Sequence, residues 1–75
     1  MSDEKILIRF GQAVRAQRIK LKVSQEELAD RAGLHRTYIS DIERGARNVS
    51  LLNIYAIAKS LNLTTAELIR RAEKP

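Results

Sequence analysis

The part of this chain that most restricts its fold is a stretch of twenty residues near the middle, residues 25–44, with the sequence QEELADRAGLHRTYISDIER. Two helices that cross steeply through a turn of three or four residues need a small side chain where their axes approach and a positive φ in the turn. Ala29 and Gly33 meet these two needs at the required spacing. Apolar residues for a shared core lie on both sides of the turn, at Leu28, Leu34, Ile39 and Ile42. The stretch therefore predicts a helix-turn-helix, with an ordinary helical hairpin as the alternative.

Helical periodicity continues on both sides of this stretch. Apolar residues recur with a period of about 3.6 residues almost throughout, and no segment alternates as a strand would. A first helix is predicted over about residues 3–21, with Gly11 in its middle. Glycine costs a helix interior about 1 kcal/mol relative to alanine, so Gly11 indicates close packing or a frayed first turn. The predicted inward face of this helix consists of Leu7, Phe10, Val14, Arg18 and Leu21.

Capping residues mark the bounds of the next two helices. Ser24 is the expected N-cap of the second helix, and Glu27, three residues later, is expected to complete a capping box. Gly33 ends this helix in the left-handed conformation. The third helix is predicted over about residues 35–44 and ends at Gly45.

The last third of the chain carries two more capping patterns. Ser50 is the expected N-cap of a fourth helix that ends near Leu61, with Asn62 as its left-handed residue. Thr64 and Glu67 form the expected capping box of a fifth helix. Because the connections are short and contain no linker or repeat, residues 1–75 are predicted to form a single all-α domain of five helices.

Chain length and residue types restrict the function as well. A chain of 75 residues lies near the lower limit for a core that holds a fold alone, so self-association is a natural supplement. With no cysteine and His35 as the one histidine, no disulfide, metal site or other cofactor is expected. Catalysis is not expected either, since no acid–base pair or activated nucleophile is recognisable. No apolar stretch reaches the ~20 residues of a membrane span, and the first residues lack a signal-peptide layout. This predicts a cytoplasmic protein, or a nuclear one in a eukaryote, without a membrane partner.

The outward face of the third helix points to double-stranded DNA. The chain has a net charge of +5, which favours a polyanionic partner. If Ile39 and Ile42 point inward, five polar residues point outward: Arg36, Thr37, Ser40, Asp41 and Arg44. In the major groove an arginine can bind guanine through two hydrogen bonds, and a threonine methyl can contact thymine. Asp41 is the acidic member of this face. It is expected to orient Arg36 or to repel mismatched sites, and the alternative is that it accepts a hydrogen bond from cytosine N4.

A second group of residues is expected to contact phosphates without reading sequence. Gln25 brings a side-chain amide beside the free backbone N–H groups at the start of the second helix. Arg44, Arg47 and Asn48 lie at and beyond the end of the third helix, where the DNA backbone would pass. The alternatives are surface charges for the two arginines and a turn residue for Asn48. His35, at the head of the third helix, is expected to serve in capping or phosphate contact.

The fourth helix has more apolar surface than one core contact needs. Leu51, Ile54, Ala58 and Leu61 form the predicted inward stripe, with Ile57 beside it. A second apolar strip is formed by Leu52, Tyr55 and Ala56, and Ile69 of the fifth helix is a further candidate. An exposed strip of this kind predicts a two-fold homodimer, which would bind a palindromic operator.

A family resemblance extends this interpretation. The segment SQEELADRAGLHRTYISDIERGARNVSLLNIYAIAKSL (residues 24–61) is similar to the Cro/cI-type helix-turn-helix family, whose fold is the five-helix lambda-repressor-like domain. More narrowly, HRTYISDIERGARNVSL (residues 35–51) resembles the controller proteins of restriction–modification systems. Such proteins are homodimers that bind operators upstream of their own genes and of the endonuclease gene.

The resemblance implies specific residue roles. It implies base contacts from Arg36 and Thr37, with Ser40 and Asp41 nearby. It also implies backbone contacts from a second set: Gln25, Tyr38, Arg44, Arg47 and Asn48. Finally, it implies an interior ion pair between Arg18 and Glu43, two charges that lie unexpectedly on or beside inward faces.

Other functions remain open from the sequence. Short phage repressors and antitoxins share most of this pattern, and a protein-binding coactivator or assembly module is an alternative of a different class. RNA polymerase is a further candidate partner of a regulator. A protein-binding module would carry an apolar outward face on the third helix, whereas that face is polar.

Overall fold

Five helices begin where the sequence supplies capping residues. The computed structural model describes residues 3–74, and within this range all regular secondary structure is helical. The helices are α1 (Asp3–Lys20), α2 (Gln25–Ala32), α3 (Arg36–Glu43), α4 (Leu51–Ser60) and α5 (Thr65–Glu73). The predicted all-α class and the five helices are confirmed.

The N-caps satisfy backbone groups that a helix leaves free at its start. The side chains of Ser24, Ser50 and Thr64 each accept a hydrogen bond from the backbone N–H three residues later. At α5 the capping box is complete, and the hydrogen bond from the Thr64 backbone N–H lowers the pKa of Glu67 below its usual value. The capping box predicted for α2 is wrong in one of its two hydrogen bonds. The Ser24 side chain accepts from the Glu27 backbone N–H as predicted, but the Glu27 carboxylate accepts from Arg31, one helical turn later, at 2.6 Å.

Left-handed residues end the helices at the predicted positions. Gly33 has a φ of +71° and closes α2, and α3 starts only three residues later. Asn62 has a φ of +61° after α4. Lys22, between α1 and α2, also adopts a positive φ, which was not expected for a lysine.

The core lies between α1 and the other helices. α1 packs against both α3 and α5, while α2 contacts α3 and α4. The largest fully buried side chains come from all five helices and the α4 C-cap: Val14, Leu28, Ile39, Ile42, Ile57, Leu61 and Leu68. The predicted shared core of the helix-turn-helix is therefore present, with Leu34 partly buried at its edge.

Leu51 departs from the predicted inward stripe of α4. Ile57, Ala58 and Leu61 are fully buried, whereas the side chain of Leu51 is 73% exposed. Leu51 is the first residue of the helix. Because Cα–Cβ bonds tilt toward the helix N-terminus, the side chain of a first residue extends past the end of the helix and away from the core. Helical periodicity predicts on which side of the helix a side chain lies. It does not predict that a side chain at the first position extends beyond the end of the helix.

Gly11 brings α1 into backbone contact with the end of α3. A Cβ atom on Gly11 would lie 2.2 Å from the Ile42 carbonyl oxygen and 2.8 Å from that of Glu43. Of the two explanations for a glycine in mid-helix, close packing is the correct one. This contact fixes how far α3 stands from the body of the protein.

A buried glutamine joins α1 to the C-terminal helices. Gln17 is almost fully buried, and its Nε2 donates to the Leu61 carbonyl oxygen at 3.0 Å. Its Oε1 accepts from Arg71 Nη1 at 2.7 Å. Since both ends of the amide are satisfied, the polar group is compatible with the core.

Candidate nucleic-acid interface

The orientation of α3 about its own axis exposes a polar face. Ile39 and Ile42 are fully buried beneath the helix, which turns Arg36 and Thr37 to the solvent. Ser40 and Asp41 are partly exposed on the same side. The structure thus brings together on one surface the four residues predicted to lie at the bases.

An ion pair supports this helix from below. Arg18 Nε donates to Glu43 Oε2 at 2.7 Å and Arg18 Nη2 to Oε1 at 2.9 Å, with side chains only 12% and 3% exposed. The hydrogen bond to Glu43 raises the pKa of Arg18 above its usual value, so the guanidinium stays charged. Its Nη1 donates to the Val23 carbonyl oxygen at 3.0 Å. The pair ties α1 and the α1–α2 loop to the end of α3.

Gln25 takes part in the same network. Its Nε2 donates to Glu43 Oε1 at 3.1 Å, which turns the side-chain amide toward α3. The residue lies in the first turn of α2, where backbone N–H groups face outward. A phosphate at this point would therefore meet the backbone N–H groups before the Gln25 side-chain donor.

Asp41 binds two arginines on the outer surface. Its Oδ1 accepts from Arg44 Nη2 at 2.6 Å, and its Oδ2 accepts from Arg47 Nε at 3.3 Å. Arg44 also donates to Ser40 Oγ at 3.3 Å. The expectation that Asp41 orients Arg36 is wrong for this structure, because the carboxylate points along the helix toward its C-terminal end.

Tyr38 links Arg47 to α4. The Arg47 guanidinium carbon lies 5.2 Å from the centre of the Tyr38 ring, within the range of a cation–π contact. The Tyr38 hydroxyl accepts from Asn53 Nδ2 at 3.1 Å. Sequence reasoning missed Asn53, which belongs to neither apolar stripe of α4 and meets Tyr38 only because α3 and α4 approach in space.

Two further predicted contact residues flank α3. His35 occupies the N-cap position of α3 with an extended backbone, and its side chain makes no capping hydrogen bond. Asn48 is exposed in the loop after α3 and borders shallow grooves against the N-terminal part of α1. Both side chains are accessible to a partner.

A second exposed surface lies on α4. Leu51, Leu52 and Tyr55 are all exposed, Leu52 to 79%, and we call these three residues the α4 strip. Ala56 beside it is partly buried. Ile69 does not join the strip: it packs against the core and lines a separate groove with Ile54.

Among residues 3–74, none of the helices combines the length and the hydropathy that a membrane-spanning segment requires. The same residues contain no cluster of three or more histidine, cysteine or acidic side chains placed to hold a metal ion.

Known proteins share both the sequence pattern and the fold. A family model described as "Helix-turn-helix" matches residues 14–68. Control protein C.BamHI of Bacillus amyloliquefaciens is 55% identical over 65 residues, which cover 85% of this chain and 80% of the relative. Control protein C.MunI of Mycoplasma sp is 46% identical over 70 residues, 92% of this chain and 95% of the relative. The crystal structure of the restriction–modification controller protein C.AhdI from Aeromonas hydrophila matches with a TM-score of 0.81 and 47% identity, over 83% of this chain and 94% of that one.

Proposed function

The chain belongs to the helix-turn-helix family, and from this membership we propose that it is a sequence-specific DNA-binding regulator of transcription, the controller protein of a restriction–modification system. The observation that carries the proposal is the polar outward face of α3 above fully buried Ile39 and Ile42. A protein-binding module would need apolar side chains at these outward positions.

Base reading is assigned to the first half of α3. Arg36 and Thr37 lie in the first turn, the part of a recognition helix that enters the major groove. Arg36 would donate to guanine O6 and N7, while the methyl group of Thr37 would contact a thymine methyl. Ser40 lies one turn further along the same face and completes the reading surface.

Backbone contacts are assigned to the periphery of this surface. Arg44 and Arg47 are exposed at the end of α3 and in the following loop, with Tyr38 beside them. Gln25 at the start of α2, His35 and Asn48 extend the same rim. Such contacts fix the orientation of the protein on the duplex and contribute affinity for DNA of any sequence.

Arg36 and Arg47 provide the test of this division. We expect Arg36→Ala to weaken binding to the operator by about 1–3 kcal/mol and to remove preference at one base pair, because a bidentate guanine contact is lost. Arg47→Ala is expected to weaken binding to both operator and random duplexes without removing preference at any single base pair, and to reduce the slope of log K against log salt by about one. The operator is first obtained by selection from random-sequence DNA, and both variants are compared by salt titration.

Two results would contradict the division. Equal losses on operator and random DNA for Arg36→Ala would make Arg36 a phosphate contact. If selection with the wild-type protein yields no consensus sequence and the protein binds all duplexes with equal affinity, the proposed function itself is contradicted.

The α4 strip is proposed as the interface of a homodimer. A two-fold axis across Leu52 and Tyr55 would make the patch self-complementary and bury apolar surface that is exposed in one chain. Ala56 borders the strip, and Ile69, which lines the separate groove described above, is kept as a further candidate for the interface. Two recognition helices held about 34 Å apart would match successive turns of the duplex, which predicts a palindromic operator.

Charge placed on the strip should separate the two chains. We expect Leu52→Glu or Tyr55→Glu to give a folded monomer that has lost specific binding, as judged by sedimentation, circular dichroism and gel shift. Gln12→Glu, which adds the same charge at an exposed position of α1, is the control and should remain dimeric. A strip variant that stays dimeric and binds normally would place the interface elsewhere.

The targets follow from the controller assignment. Operators upstream of its own gene and of an endonuclease gene are the proposed sites, and an adjacent methyltransferase gene would agree with this. Activation of transcription would require a contact with RNA polymerase, the further partner named from the sequence. Binding to bacterial DNA is consistent with the predicted cytoplasmic location.

A further inference from the structure

We propose that Asp41 is a positioning residue, which acts through Arg44 and Arg47 to increase discrimination between the operator and other DNA. The inference rests on the proposed function and concerns how that surface distinguishes sites. It gives a role to a carboxylate that otherwise lies, with the wrong charge for DNA, on the outward face of the recognition helix.

The geometry of Asp41 is poorly suited to reading a base directly. Each carboxylate oxygen already accepts a hydrogen bond from an arginine, Oδ1 from Arg44 and Oδ2 from Arg47. The Asp41 side chain is only 19% exposed, whereas those of Arg44 and Arg47 are 64% and 52% exposed. The carboxylate thus lies behind the two guanidinium groups, and a base would meet the arginines first.

Both arginines are held from more than one side. Arg44 donates to Ser40 Oγ as well as to Asp41. Arg47 uses Nε for Asp41 and rests over the Tyr38 ring, whose hydroxyl is itself held by Asn53. The bond from Nε leaves the two terminal amino groups of Arg47 outside the contact with Asp41. They can therefore reach a phosphate while the rest of the side chain keeps its place.

Held arginines favour one register of the DNA over others. A mobile arginine can follow a phosphate in any register, so its attraction adds equally to all duplexes. An arginine held in place contributes its full binding energy only when a phosphate of the bound duplex lies within reach of its fixed position. Because the side chain is already ordered, binding in that one register has a lower entropic cost. The carboxylate also offsets one of the two positive charges, which weakens attraction to phosphates out of register. Specificity gained in this way combines an attractive and a repulsive element.

Asp41→Asn tests the inference because it keeps the side-chain shape and removes the charge. The consensus duplex selected by the wild type and a scrambled duplex of the same composition are the two probes. We expect Asp41→Asn to bind the scrambled duplex more tightly and the consensus more weakly. The ratio of the two affinities should fall by about tenfold, a change of ordinary size for coupling between contacting residues. Asp30→Asn removes an equal charge from the exposed face of α2 and should leave the ratio nearly unchanged.

Two additional variants separate positioning from other roles. Asp41→Glu restores a carboxylate and is expected to retain most of the ratio, which a general loss of structure would not allow. In a protein already carrying Arg44→Ala and Arg47→Ala, adding Asp41→Asn should have little further effect on the ratio, because its partners are gone.

The inference is overturned if Asp41→Asn leaves the ratio of the two affinities at its wild-type value, whether both affinities are unchanged or both change by the same factor. It is also overturned if the loss is confined to one base pair in a panel of single substitutions, since Asp41 would then read that base itself. Neither result touches the proposed function, which depends on whether the wild type prefers its consensus.

Discussion

We expect Glu43→Ala to lower the free energy of unfolding by about 3–5 kcal/mol, because it leaves a buried guanidinium without its partner. Arg18 loses both hydrogen bonds to the carboxylate and keeps its bond to the Val23 carbonyl oxygen. A domain of this size has a total stability of about 4–11 kcal/mol, so much of the variant should be unfolded at moderate temperature. Thermal and urea unfolding at matched protein concentration measure the loss, because the proposed dimerisation would also contribute to stability.

Two controls identify the cause. Glu27→Ala breaks the exposed ion pair with Arg31 and should cost at most about 1 kcal/mol. The double substitution Arg18→Met with Glu43→Leu replaces both charges by apolar side chains and should recover most of the stability, since no charge is then stranded. A Glu43→Ala protein that melts like the wild type but no longer binds DNA would place Glu43 at the DNA and contradict its structural role.

Gly11→Ala should also destabilise the fold strongly. The added Cβ would lie within 3 Å of two backbone carbonyl oxygens at the end of α3, and backbone cannot move aside as a flexible side chain can. Overpacking of this kind costs about 1–3 kcal/mol or more, and we expect the upper end. The gain of about 1 kcal/mol in helix propensity offsets only part of this loss.

The DNA-binding readout distinguishes this effect from general loosening. Because the clash pushes α3 outward at its C-terminal end, the folded fraction of Gly11→Ala should bind the operator more weakly than the wild type. Gln12→Ala, one residue along on the exposed side of α1, should change neither the melting temperature nor the binding. A Gly11→Ala protein as stable as the wild type would mean that α1 and α3 can separate without cost.

Local sequence patterns predicted most of the helical framework. Ser50 and Thr64 cap helices by hydrogen bonds to their own neighbours in the chain, so their role can be inferred without knowing the fold. The same holds for Gly33 and Asn62, whose positive φ is a property of one residue. The inward direction of Ile39 and Ile42 followed from helical periodicity, and it set the outward face of α3.

Features that depend on contacts between helices could not be predicted in this way. Gln17 is polar yet buried, because Leu61 and Arg71, far along the chain, satisfy its amide. Asn53 meets Tyr38 only where α3 and α4 approach each other. Asp41 is a different case, because its i,i+3 spacing to Arg44 already favours the observed ion pair, whereas Arg36, which it was expected to orient as one of its roles, lies five residues away.

The positions of the two tyrosines give this protein its own optical reporters. The chain contains no tryptophan, so its ultraviolet emission comes from two phenol rings. Tyr38 lies under Arg47 at the proposed DNA surface, and Tyr55 is exposed on the α4 strip. In a Tyr55→Phe variant the remaining fluorescence comes from Tyr38 and should change when DNA binds. In a Tyr38→Phe variant it comes from Tyr55 and should change when two chains associate. The order of these two events can therefore be followed in time without an attached dye.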